Sequence, residues 1–437
     1  MSSLRTLAAC VLLLGLAPDL HAAPVDDIKS LVEQGKAADA YQLGAKHSEL
    51  LGQPDFDLAF GVAAIDSGHG GEGVLALERY IVNVPDNMNA RLELARGYFS
   101  LGEDIRAREE FERVMQTRPP APVQANIDRF LDAIRSRQSR YVTTAGFYVE
   151  AGYGYDSNVN GGVGNATVNL PLFGAVIVDQ SGVKAGSSYN WLAAGGQVSK
   201  PIITPGLSIF AVGQMDGKYN NANNQFDQNN VTAAGGFTFL QNKNFYRLTF
   251  LHNEIAVDDT RFRDIDSVSG EWQRQIDERQ TVSPFVLYAQ LRYVGDNRLR
   301  DADLYAGGIS YRRSFVGNWQ PLLTASINGG QEHNNQGRPD LGRQVYGGRV
   351  ALAITPAPKW GVSTGASYLH SHYSGPDLLL DETRKDNYYA VDAAVSYAVT
   401  RNLSARVELL VSNNGSNIDL YAYRRDIAII KLRYEFK

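Results

Sequence analysis

The stretch Tyr389-Ala390-Val391-Asp392-Ala393-Ala394-Val395-Ser396-Tyr397-Ala398-Val399 is answered four residues later by Leu403-Ser404-Ala405-Arg406-Val407-Glu408-Leu409-Leu410-Val411. Odd positions are apolar throughout, and Asp392, Ser396, Ser404, Arg406 and Glu408 sit between them. Alternation with period two gives a strand one oily and one wet face. A soluble sheet would hide the oily face beneath a second apolar layer, and the sequence offers none. The pattern therefore predicts a closed barrel whose oily face meets lipid.

Working outward, fourteen strand candidates run from Tyr141–Tyr155 to Leu420–Phe436. Their connections alternate. Short ones are expected at Thr204-Pro205-Gly206, Gln241–Asn244, Ile276–Arg279, Val316–Asn318, Pro356–Lys359 and Thr400–Asn402. Long ones are expected at 156–187, 217–230, 257–262, 295–302, 332–343, 373–387 and 412–419. Short turns on one rim and long loops on the other are the outer-membrane barrel pattern, and an even strand number returns both ends to the short-turn rim. Tyr389 and Tyr397, like Phe285 and Tyr293, are expected on the lipid face eight residues apart. That is roughly 26 Å at about 3.3 Å per residue, close to the height of an apolar band. The last strand presents Ile430, Leu432, Tyr434 and Phe436 on one face.

The 437 residues leave room for a second domain. Net charge is −5, which argues against a nucleic-acid partner. Residues 1–140 hold 15 Lys/Arg against 20 Asp/Glu, so the remaining 42 − 15 = 27 and 47 − 20 = 27 balance. Residues 1–22 read as a secretory signal: Arg5 gives the positive charge, Leu7 to Ala17 the apolar core, and Leu20-His21-Ala22 the cleavage site. Cys10 precedes the bulk of that core rather than following it, so it is not read as a lipidation site, and no cysteine follows it.

Residues 23–140 read as a periplasmic helical solenoid. Pro85 and Pro119 stand 34 residues apart, and, counted from Met88, Ala95, Tyr98, Ala107, Phe111 and Pro119 fall at 8, 11, 20, 24 and 32. These are the small, aromatic and stop positions of a tetratricopeptide helix pair. A weaker unit starts at Pro54 and matches at Gly61, Leu77 and Pro85, and Val123, Ile127, Phe130, Leu131 and Ile134 make a capping stripe. Helix-A positions of the best repeat nominate Asn89, Leu92, Arg96 and Phe99 as a binding groove for a peptide or partner domain. Gly68-His69-Gly70-Gly71-Glu72-Gly73 fits a dinucleotide fingerprint only in spelling, since no strand precedes it and a helix-to-helix turn wants glycine there.

Residues 141–437 form the barrel, so the fold class is α + β in two domains, a helical tetratricopeptide-like solenoid followed by a 14-stranded antiparallel transmembrane barrel. Helices feeding a barrel that opens with Gly152-Tyr153-Gly154-Tyr155-Asp156-Ser157-Asn158-Val159-Asn160 resemble the surface lipoprotein assembly modulator family. The resemblance implies a factor that helps a client, a surface lipoprotein or secreted protein, across the outer membrane. It marks Gly152, Tyr153, Tyr155, Asp156, Asn158 and Asn160 as family-like, with loop-forming and client-contacting roles both open. Barrel-assembly machinery, periplasmic chaperones and outer-membrane lipid are its implied further partners. A polysaccharide-export or diffusion porin and a surface host-interaction protein are the alternatives.

No catalytic, metal or cofactor site is expected. His370 and His372 share a strand face without further ligands, and Asp258, Asp259, Asp264 and Asp266 lack the glycine turn of a calcium loop. Arg292, Asp392, Arg406 and Glu408 are expected as lumen charges, with Asp392 close to Arg406 and Glu408. Charges in such a lumen pair, hold water or narrow the pore.

Overall fold

The computed structural model describes residues 22–138, 142–203, 206–277, 279–315 and 319–436. The expected signal sequence, apart from Ala22, and residues Thr204, Pro205, Glu278 and 316–318 of the expected short connections lie outside the described residues, as does Tyr141. The chain divides between Arg135 and Ser136 into a helical and a barrel unit.

Seven α-helices among the described residues make the first unit: α1 (Ala22–Glu33), α2 (Ala37–Ala45), α3 (Pro54–Asp66), α4 (Gly70–Asn83), α5 (Met88–Ser100), α6 (Asp104–Gln116) and α7 (Ala121–Gln138). Pro54 opens α3 at the position where its missing N–H costs nothing. Asn87 caps α5 by accepting a 3.1 Å bond from the Ala90 N–H. Gly68 turns the chain from α3 to α4 with φ +89°, so the glycine-rich run serves the connection. A Cβ on Gly73 would stand 2.8 Å from the Gly61 carbonyl, which is why α3 and α4 approach so closely. Ala95, Tyr98, Ala107 and Phe111 are buried with Leu77, Ile127, Leu131 and Ile134 in one core. Phe56, Phe60, Ile28 and Leu50 fill a second.

The second unit is a closed antiparallel barrel. Its strands are β1 (Thr144–Asp156), β4 (Ser187–Ile203), β5 (Leu207–Asn220), β6 (Gln228–Gln241), β7 (Asn244–Val257), β8 (Thr260–Gln275) and β9 (Gln280–Tyr293). They continue as β10 (Ala302–Ser314), β11 (Leu322–Asn334), β12 (Arg343–Ile354), β13 (Trp360–Pro376), β14 (Thr383–Ala398), β15 (Leu403–Ser416) and β16 (Tyr423–Phe436). A separate hairpin, β2 (Thr167–Leu170) with β3 (Gly174–Ile177), lies within the first long loop. Each barrel strand pairs with its neighbours in sequence, and β1 meets β16 from Phe147 opposite Phe436 to Asp156 opposite Ile427.

The pairing register carries one face all the way round. Val407 opposes Ile430, Ile430 opposes Tyr153, and all three side chains are exposed, on the face that continues through Val391, Val395 and Leu409. This is the outward, apolar face, and it includes Tyr389 and Tyr397 as expected. Phe285 and Tyr293 are corrected to the opposite face. Val286 and Tyr288 carry the outward positions of β9, opposite Gly307 and Tyr305, whereas Phe285, Leu287, Ala289 and Leu291 point inward. Both faces of β9 are apolar, so alternation alone did not reveal its parity.

The turns also hold one correction. Asp258 and Asp259, with φ 51° and 55°, form a two-residue hairpin between β7 and β8 where a long loop was expected. Both aspartates take the left-handed conformation that a type I′ turn needs.

The facing makes a direct prediction. Val407→Arg puts a charge in lipid at a cost of about 2–4 kcal/mol near the midplane, and should reduce the heat-modifiable barrel on gels. Arg406→Ala, on the inward face, should leave that band intact. Reversed results would shift the register by one residue.

Candidate functional site

The inward face of the closing seam is a ladder of ion pairs. Lys431 on β16 sits between Glu408 on β15 (3.1 Å) and Glu150 on β1 (3.6 Å), and Arg406 holds Glu408 from the other side at 2.7 Å. The Trp191 indole on β4 donates to Glu150 at 2.9 Å and lies 5.0 Å beneath the Lys431 ammonium. Further towards the short turns, the Arg433 guanidinium stacks 3.6 Å from the Tyr148 ring. Arg406 and Glu408 are thus lumen charges that satisfy one another.

Asp392 is inward too, but its partner differs from the expected one. Register sets it opposite Leu410, one inward step from Glu408. Its carboxylate turns the other way and takes two bonds from Arg349 on β12, at 2.6 and 2.9 Å. Arg349 reaches across β13 because Gly365 lies in its path, where a Cβ would meet the guanidinium at 2.3 Å. Arg292 is corrected outright. Opposite outward Asp264, it lies on the outer face at the long-loop end, held by Asp303 at 2.8 Å and the Ala302 carbonyl at 2.9 Å. It shares the parity of Val286 and Tyr288.

The Gly152–Asn160 motif stands at the long-loop end of the same seam. Tyr153 and Tyr155 point outward and are exposed. Gly152 and Gly154 point inward, and a Cβ at Gly154 would clash at 2.7 Å with the Tyr189 ring. Asp156 is fully buried and accepts bonds from Arg425 on β16 (Nη2 at 2.6 Å) and Lys218 on β5 (2.5 Å), plus the Asn158 N–H at 3.0 Å. Buried Asn158 donates to the carbonyls of Gly162 (2.8 Å) and Arg424 (3.0 Å). Asn160 donates to the Ser181 and Val183 carbonyls and accepts from the Ala185 N–H. One run of residues therefore ties three strands together and pins both limbs of the first long loop.

That loop belongs to an ordered layer at the rim. Val159, Val163, Val168, Leu380 and Ile418 are buried there. The Asn169 N–H donates to Asp419 at 3.2 Å, and the Tyr421 hydroxyl donates to Asp377 at 2.8 Å. Burial, reinforced by Asp377, pushes the Tyr421 hydroxyl up to about 12. Burial alone would raise the Asp377 carboxyl, yet the bonds from Tyr421 and the Leu379 and Leu380 N–H groups hold it below the usual range.

In the helical unit the four nominated groove positions divide. Asn89 is exposed, and Leu92 packs against the core. Arg96 bridges to Asp66 on α3 at 2.8 Å and to Glu93 on its own helix. Phe99 does not line an open surface: its ring meets Phe130 of α7 edge-on at 5.0 Å. Tyr98 is buried and donates to Glu78 at 2.5 Å, and burial with that bond raises its hydroxyl far above normal.

Residues 146–436 match the family described as surface lipoprotein assembly modifier. The chain belongs to that family. It is therefore an outer-membrane barrel protein of surface lipoprotein assembly, as the lipid-facing band and family together require. Among solved structures it is similar to a loop-deletion mutant of OmpT from Vibrio cholerae, at 8% identity and TM-score 0.39, covering 68% of this chain and 100% of that one. It is also similar to a bacterial polysaccharide outer membrane secretin, at 7% identity and TM-score 0.35, covering 66% and 98%. An anion-selective porin from Comamonas acidovorans aligns at 9% identity and TM-score 0.36, covering 67% and 99%. Comparison with curated proteins finds no match.

The sequence reading missed Lys218, Arg349, Arg425 and Lys431. Only the pairing register, which sets residues tens to hundreds of positions apart side by side, could have found them.

Two predictions follow from these contacts. Asp156→Asn leaves Arg425 and Lys218 facing an uncharged group, and breaking a buried pair costs about 3–5 kcal/mol, less where water enters the rim. Protease should then cut within 156–187 while the heat-modifiable barrel persists; an uncut loop would show that Asp156 is not its anchor. In the helical unit, Tyr98→Ala should cost about 3–5 kcal/mol, and Phe99→Ala a smaller amount, in denaturant melts of the helical signal. Arg96→Ala, which removes half-exposed ion pairs, should cost about 1 kcal/mol or less. A silent Tyr98→Ala would overturn the packing account.

Proposed function

We propose that this protein captures a client lipoprotein in the periplasm through its helical unit and promotes the client's passage to the cell surface through or beside the barrel. The observation that carries the reading is the family match across 146–436, the whole barrel from β1 to β16. Thr144 and Phe436 both lie at the short-turn rim, so a helical unit entering β1 joins the barrel there. In an outer-membrane barrel the short turns face the periplasm. On this reading the helical unit is periplasmic, the ordered loop layer is extracellular, and barrel-assembly machinery and chaperones act during biogenesis.

A tetratricopeptide-like stack joined in one chain to a barrel has a use if it holds something. Binding a client near the mouth raises its effective concentration at the pore. Asn89 and the Arg96–Asp66 pair are the accessible polar groups on this row, so they replace Phe99 as the positions expected to touch the client.

Deleting residues 25–138 should leave an inserted barrel, since a closed barrel satisfies its own backbone hydrogen bonds. Surface exposure of a co-expressed client lipoprotein, read by antibody on intact cells, should be lost. Undiminished display by the truncated barrel would sink the capture reading. Topology is checked with the same cells: cysteines at Asn223 and Asn335 should label from outside, and one at Asn402 should not.

A further inference from the structure

The lumen has two unlike walls. Diffusion barrels carry a polar interior, and the β15–β16–β1 side here follows that rule through its ion pairs from Arg406 to Arg433, with Leu410, Ile427 and Ile429 as apolar inward residues nearer the long loops. The inward face of β9 does not: Phe285, Leu287, Ala289 and Leu291 succeed one another without a polar residue. Neighbouring strands extend the patch. Ile265 of β8 and Ala302 of β10 flank Leu291, Leu304 stands beside Ala289, and Ala306 beside Leu287. Ala289, Leu291 and Ala302 are buried, while Leu287 and Leu304 keep part of their surface open. β9 and β10 thus present hydrocarbon over a height of roughly 20 Å, six residue steps at about 3.3 Å, while β8 adds only Ile265, its next inward residues being Ser267, Ser269 and Glu271.

The placement is as telling as the composition. Around the fourteen-strand ring, β9 lies seven strands from β16 in either direction, so the apolar wall faces the ion-pair ladder. The ladder's charges neutralise one another and call for no counter-charge from an occupant. What remains open is the hydrocarbon of Leu287 and Leu304.

We propose that this wall receives the acyl chains of the client's lipid anchor. The inference rests on the proposed export function and adds the chemistry of what is carried. A lipoprotein differs from other exported proteins in its covalent hydrocarbon, and each CH₂ held in water costs about 0.8 kcal/mol. A water-filled, all-polar lumen would impose that cost along the whole path. A strip of Leu, Phe and Ala side chains removes it on one side, and the polar wall opposite leaves room for hydrated polypeptide.

The test uses the full chain in phosphatidylcholine vesicles, in a Cys10→Ser background that has no other cysteine. Ala306→Cys places an environment-sensitive fluorophore on the apolar wall, and Ala394→Cys places one beside Glu408 on the polar side. The probe is a synthetic diacylated lipopeptide with brominated acyl chains, against the same peptide without acyl groups. Brominated phosphatidylcholine at equal mole fraction sets the quenching that arises from the bilayer. The lipopeptide should quench the Ala306→Cys fluorophore to about half beyond that background and leave the other unchanged. Leu287→Asn and Leu304→Asn should each weaken the effect about tenfold, by putting an amide where hydrocarbon binds. Heat-modifiability confirms that each variant is folded, and Leu304→Met should restore wild-type quenching.

Equal quenching at both positions, or wild-type response in both Asn variants, overturns the assignment. So does an unacylated peptide that shifts the Ala306→Cys fluorophore as strongly as the lipopeptide, which would make the wall a polypeptide track. These vesicle readouts need no exported client. Failure here with client display intact removes only the acyl wall, whereas display by the barrel lacking 25–138 removes the capture reading and leaves the quenching result standing.

Discussion

Everything in the barrel depends on the meeting of β1 with β16. Twelve of the fourteen strand contacts join consecutive strands, where hairpin connections make pairing nearly automatic, and β1 meets β4 across the first long loop. The last must bring Phe147 to Phe436 across almost three hundred residues. In hydrocarbon an unpaired strand edge leaves a row of N–H and C=O groups with no partner, each worth several kcal/mol. Backbone pairing supplies most of the answer. The side chains at the rim supply the register: Asp156 takes Arg425, Asn158 takes the Arg424 carbonyl, and Ser157 accepts from the Asp426 N–H at 2.8 Å. A slip of one residue would turn Asp156 towards lipid.

The same seam explains why a short motif is detectable in an otherwise permissive fold. Lipid-facing positions need only be apolar, and lumen positions need only be compatible with their neighbours. At Gly152–Asn160 each residue has a separate demand: no Cβ at Gly154 beside Tyr189, a carboxylate for two cations at Asp156, an amide that both donates and accepts at Asn158 and Asn160. These are geometric demands of closure and loop anchoring. A client role for the motif would act through the loop it holds.

Architecture was legible where one face is polar. Along β14 and through Ser404–Leu409 of β15 alternation gave the facing of Tyr389 and Val407, and Arg406 and Glu408 fell inward as the pattern required. It was illegible where both faces are apolar. Phe285-Val286-Leu287-Tyr288-Ala289 has no polar residue to mark its lumen side, and Arg292 inherited the same error of parity. Ion-pair choice was beyond reach for another reason. Asp392 meets Arg349 across an intervening strand because Gly365 has no side chain, a condition visible only after two registers are known. In the helices, Phe99 looked like a groove residue because helix-A spacing says which face it takes and not that α7 covers that face.

The failure on β9 is itself informative. Sequence patterning fails in a barrel strand when the lumen side stops being polar, and a polar lumen is what water-filled transport demands. Loss of alternation along most of one strand therefore marks a change in what that strand touches. Packing against a plug would be one cause, but Leu287 and Leu304 retain open surface among the described residues. The open surface of Leu287 and Leu304 gains nothing for stability, since the same strands would close as well with serine and threonine there. The hydrocarbon is better accounted for by an occupant than by the fold.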